Sequence, residues 1–93
     1  LKTTPWTMRP DAVIEIGDRT RLSDTRFSCV DRITVGPDSL LGEARLLDTD
    51  FHPIGPDRRD PDAPVRSAPI ELGRNVWVGM DCVVLPGTRI GEN

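Results

Sequence analysis

Tyrosine is absent from this 93-residue chain, and the remaining aromatics are only four: Trp6, Phe27, Phe51 and Trp77. A chain this short is one domain near the low end of what folds alone, and a sandwich or bundle core would want more bulky side chains. Histidine occurs once, at His52, and cysteine twice, at Cys29 and Cys82. Two cysteines cannot define a disulfide framework. With one histidine they cannot complete a four-ligand zinc site without carboxylates, so no metal is expected. Two free thiols suit a reducing cytosol, which makes the expected location cytoplasmic. Positive charge is short as well: the net charge is −3 and the pI near 5.0. A nucleic-acid partner would need a basic face, and Arg58–Arg59 is too short to supply one. No apolar run approaches the roughly 18 residues of a membrane span, and no signal-peptide hydrophobic region appears.

What the chain does have is proline, glycine and a period. Nine prolines and eight glycines exceed the usual share. The aliphatics are mostly Val, Ile and Leu, which favour strands. In the C-terminal third aliphatics fall at Leu72, Val78, Val84 and Ile90. Glycine follows three of them, and Val76, Cys82 and Thr88 stand four places after the first three. A helix would repeat its apolar face at three and four residues, so a bare period of six excludes it. The same frame runs through Ile16-Gly17, Thr20 and Leu22. After a one-residue slip it continues through Val35-Gly36, Ser39, Leu41-Gly42 and Leu47. Hexapeptide repeats are the mark of a parallel β-helix, in which three hexads close one triangular coil and the repeated aliphatic points to the shared axis. Glycine or asparagine is expected to take the corner conformations. Cys82 sits in a small-residue slot, where core packing is expected.

The repeat occupies residues 12–47 and 70–93. Between them, 48–69 carries Pro53, Pro56, Pro61, Pro64 and Pro69. Proline gives a ladder no donor, so this stretch is expected to be an excursion loop thrown out from one corner. Its first residues contain the single histidine.

These hexads resemble those of the hexapeptide-repeat acyltransferases. The stretch 70–93, IELGRNVWVGMDCVVLPGTRIGEN, is similar to the segment that precedes their acyl-CoA-binding coils. Leu47-Asp48-Thr49-Asp50-Phe51-His52 is similar to the Asp-Thr-Asp-any-His loop start of sugar and polysaccharide O-acetyltransferases. The resemblance implies an all-β fold, a left-handed parallel β-helix of about three coils with one excursion loop, despite the usual right-handed crossover. It also implies a fragment of a longer β-helix, incomplete at both ends.

By the same resemblance the chain is an acyl-CoA-dependent acyltransferase, moving an acetyl group from acetyl-CoA to a sugar or polysaccharide hydroxyl. His52 is then the general base, a role that suits a group titrating near working pH. Asp50, two residues earlier on the same side of an extended segment, would contact the acceptor or orient His52. Asp31 is the candidate acceptor-binding carboxylate, although its spacing is off by one and Ser23-Asp24 stands where sugar-acetylating relatives carry asparagine. Trp77, Gly79 and Met80 would line the acyl-CoA groove, Met80 replacing the usual small residue. The family's homotrimers place sites between neighbouring chains. The alternatives are N-acyl transfer to an amino-sugar or xenobiotic, and a non-catalytic β-solenoid. A Thr-any-Thr row suited to ice binding is absent, and a β-helical carbonic anhydrase would need three histidines.

Overall fold

The hexads become strands that never pair with their neighbours in sequence. A computed structural model describes residues 2–93. One sheet holds β1 (Thr4–Thr7), β4 (Arg26–Cys29), β7 (Arg45–Leu47) and β10 (Val83–Val84). A second holds β2 (Val13–Ile16), β5 (Arg32–Val35), β8 (Ile70–Leu72) and β11 (Arg89–Ile90). The third holds β3 (Arg21–Leu22), β6 (Leu40–Leu41) and β9 (Trp77–Val78). Every strand pair is parallel, and successive strands step from sheet to sheet. The chain therefore winds a three-sided prism of three full coils and two sides of a fourth, in accord with the left-handed parallel β-helix expected. Among the described residues there is no helix, and so none long and apolar enough to cross a membrane.

Period six makes the core because two hexads three apart fall in register. Phe27, Leu46 and Val84 stack in the first sheet, Ile33 on Ile70 and Val35 on Leu72 in the second, and Leu41 on Val78 in the third. These side chains form one continuous buried cluster. Each contributes on the order of 1.5–3 kcal/mol by leaving water. The column extends below the hexads: β1 aligns Pro5 with Phe27 and Trp6 with Ser28. Pro5 lacks an N–H, which is tolerated because β1 is an edge strand.

The corners correct one expectation. The left-handed backbone falls mainly on polar residues, at Arg19, Asp24, Asp38, Asn75, Asp81 and Asn93, with Gly87 the one glycine at positive φ. Asparagine and aspartate tolerate this region through local hydrogen bonding of their short side chains. The hexad glycines answer to a different constraint. A Cβ on Gly17 would stand 2.5 Å from the Pro37 nitrogen, and one on Gly36 would collide with the Gly73 carbonyl. Coil backbones run too close there for any side chain. Cys82 also departs from expectation: it is exposed rather than packed in the core. Cys29, one sheet position inside the stack, is fully buried.

Candidate functional site

The coil pattern breaks at one corner. Where the third coil should turn from the first sheet to the second, residues 48–69 leave the prism and return at β8. The departure is pinned by a short antiparallel neck. Thr49 bridges Ser67, the Ala68 N–H donates to the Asp48 carbonyl at 3.0 Å, and the Asp50 N–H donates to the Arg66 carbonyl at 3.0 Å. Beyond it, tight turns at Gly55–Arg58, Asp57–Asp60 and Asp60–Ala63 use the proline- and aspartate-rich segment without joining any sheet.

His52 is exposed just outside the neck. Phe51 before it has φ 66°, and its N–H donates to the Thr49 hydroxyl at 3.1 Å, so a tight side-chain turn aims the following residue outward. The His52 Nδ1 lies 2.8 Å from the Pro53 carbonyl oxygen. A carbonyl only accepts, so this contact calls for a hydrogen on Nδ1, which in the neutral ring leaves the lone pair on Nε2. Asp50 does not contact this ring. Its carboxylate is gripped by Arg66, with Nε at 3.0 Å and Nη2 at 3.4 Å, and is only 12% exposed.

Asp31 occupies the same corner one coil below, where the chain turns from β4 to β5. Its side chain is exposed, and its N–H is held at 2.8 Å by Asp48 Oδ2. The fold thus gathers Asp31, Asp50 and His52 at one edge of the prism. Trp77, Gly79 and Met80 lie elsewhere, on and after β9 in the sheet opposite that edge. Trp77 is 77% exposed and stands in register with Leu40, which is itself exposed. A Cβ on Gly79 would meet nothing within 4 Å, so no contact inside the chain demands glycine there. No single chain brings these two groups together. Among the described residues no cluster of three or more His, Cys, Asp or Glu side chains is placed to hold a metal.

Sequence reasoning quoted Asp48 but gave it no part. It is a fully buried carboxylate, and its oxygens accept the Val30 and Asp31 N–H groups at 2.8 Å each. The Cys29 thiol lies 3.4 Å from Oδ2. Burial, then the Asp48 charge, push that thiol up to about 11, so it stays protonated and serves as a donor. The inward aliphatic here is Leu46 rather than the expected Leu47, which pairs with Ser28, so strand alternation turns Asp48 inward.

No family model matches the chain, and no solved structure does. Curated proteins do. The galactoside O-acetyltransferase of Lactococcus lactis is 39% identical over 61 residues, covering 66% of this chain and 29% of that protein. The Escherichia coli galactoside O-acetyltransferase is 34% identical over 61 residues, covering 66% and 30%. Nodulation protein L of Rhizobium meliloti is 31% identical over 65 residues, covering 66% and 35%. Together with the hexads and the three-sided stack, these matches support the likeness of the chain to the hexapeptide-repeat acyltransferases. It spans about a third, or slightly less, of the length of these relatives.

Proposed function

We propose that this chain carries the acceptor side of an acetyltransferase that moves an acetyl group from acetyl-CoA to a sugar or polysaccharide hydroxyl. The observation that carries the reading is the contact of His52 Nδ1 with the Pro53 carbonyl at 2.8 Å: a neutral ring that donates through Nδ1–H keeps Nε2 as the free base. In the reaction the acceptor oxygen attacks the thioester carbonyl while Nε2 takes its proton. The tetrahedral intermediate then expels the CoA sulfur, which recovers that proton from His52, leaving the acetyl ester and free CoA. Asp31 and Asp50 flank the base as hydroxyl-binding carboxylates, Asp50 with its orientation set by Arg66.

The acyl-CoA arm belongs on the exposed face of Trp77, Gly79 and Met80. Since that face and His52 lie on opposite sides of one prism, a complete site takes His52 from one chain and Trp77 from its neighbour. A homotrimer of parallel prisms satisfies this. The free thiols suit a reducing cytoplasm. The curated relatives named as galactoside acetyltransferases support a glycoside acceptor.

The test is transfer of labelled acetyl from acetyl-CoA to a panel of glycosides by the intact protein, native and His52→Ala. Removing a general base lowers turnover by about a hundredfold or more. An unchanged turnover in the variant would remove His52 from the chemistry.

A further inference from the structure

Resting on that reading of the site, we infer that Asp48 is a positioning residue that registers the His52 loop against the Asp31 corner. Among the described residues it is the one whose hydrogen bonds reach both. Its side chain accepts the N–H groups of Val30 and Asp31, and its own carbonyl accepts the Ala68 N–H that closes the loop neck. Its N–H meanwhile stays in the sheet ladder, donating to the Ser28 carbonyl at 3.2 Å.

The physical need comes from the missing corner. At the edge between the second and third sheets, each coil corner satisfies the one beside it: Asp38 N–H donates to Asp18, Asn75 to Pro37 and Asn93 to Arg74. Those bonds all run to the preceding coil; at the loop corner Val30 and Asp31 instead donate forward, and both N–H groups end on the Asp48 carboxylate of the following coil. Without that carboxylate two buried or half-buried N–H groups would be orphaned, each costing on the order of 1–3 kcal/mol. A neutral amide or hydroxyl side chain offers a single acceptor oxygen. A carboxylate offers two, and here both oxygens are used with no unsatisfied buried side-chain atom among the described residues. Three residues separate Asp48 from His52, and Thr49 and Phe51 among them are fixed by the neck bridge and the side-chain turn. A shift at Asp48 therefore moves His52 and Asp31 relative to each other rather than together.

Asp48→Asn in the intact protein tests this. The amide keeps the shape but turns a donor toward one of the two N–H groups. The expected result is a fall of tenfold or more in kcat and a severalfold rise in acceptor KM, with acetyl-CoA KM unchanged. Amide exchange should quicken at Val30, Asp31, Asp50 and Ala68 and stay native in β8. Native kcat and acceptor KM in D48N would overturn the inference. So would a fall in kcat alone with both KM values native, the mark of a smaller folded fraction. Should D48N fail to fold, Thr49→Val removes the hydroxyl behind the Phe51 turn and must raise acceptor KM at least threefold; native values there overturn the inference as well. His52→Ala is assayed alongside. If it remains active, the catalytic reading fails; if it is inactive while D48N is native, only the positioning role fails.

Discussion

Two edges of the same prism solve the same problem in opposite ways. At the edge between the second and third sheets, Arg19, Asp38, Asn75 and Asn93 stack one above another in left-handed backbone, and Asn75 Nδ2 donates to Asn93 Oδ1 at 3.0 Å. Repetition itself supplies every partner. At the edge between the first and second sheets the stack is interrupted, and a buried carboxylate, an arginine clamp and an antiparallel neck replace it. The regular edge is built to be continued and the broken edge to present side chains. In this chain the interruption is what carries the single histidine out of the flat repeated rows in which the sheet residues lie.

The strongest way to break the regular part is to separate its coils. Leu46→Ala, at a fully buried position between Phe27 and Val84, is expected to cost about 2–5 kcal/mol in denaturant unfolding. A cost under ~1 kcal/mol would mean the column is not the core. Gly36→Ala forces a Cβ into the Gly73 backbone and should cost about 1–3 kcal/mol, as overpacking does. A neutral result would show that the coils can separate freely.

The buried thiol sharpens the other edge. Cys29 holds its proton to about 11, whereas an unfolded thiol releases it near 9.0. Between those values the folded state binds more protons than the unfolded one, so stability falls as pH rises. The loss totals up to about 2–3 kcal/mol and is absent below pH 9. Cys29→Ala should abolish this alkaline slope in urea titrations at stepped pH; a slope that persists would assign it elsewhere. Smaller still, Asn75→Ala at φ 56° should cost about 1–2 kcal/mol. Arg66→Ala loosens a half-exposed pair and should cost under about 1 kcal/mol of global stability. Amide exchange at the Asp50 N–H should rise in that variant, and unaltered exchange would show that the neck does not need the clamp.

The regular edge was legible in the sequence because it repeats. Aliphatics at 72, 78, 84 and 90 name the inward column directly, and the prolines of 48–69 mark where the ladder cannot run. What escaped was whatever depends on a neighbouring coil. Thr4–Thr7 reads as no strand, having Pro5 and no aliphatic, yet it is held by β4. The glycines looked like corner formers, although the close approach of stacked backbones is invisible along a single chain. Cys82 shares its slot with buried Val76, yet its own side chain is exposed. Asp48 looked like one more polar loop residue, since its burial depends on a corner that the third coil omits. At the site, the Asp-Thr-Asp-any-His spacing brought out His52 and Asp50, but the Arg66 partner lies sixteen residues away across the neck.

The most direct measurement is the tautomer of His52 itself, read from the nitrogen chemical shifts of the ring at a pH where it is neutral. Hydrogen on Nδ1, with Nε2 unprotonated, is the result expected from the Pro53 contact and the one a base at Nε2 requires. Hydrogen on Nε2 would contradict it, since the lone pair would then sit on Nδ1, facing the Pro53 carbonyl instead of an acceptor hydroxyl.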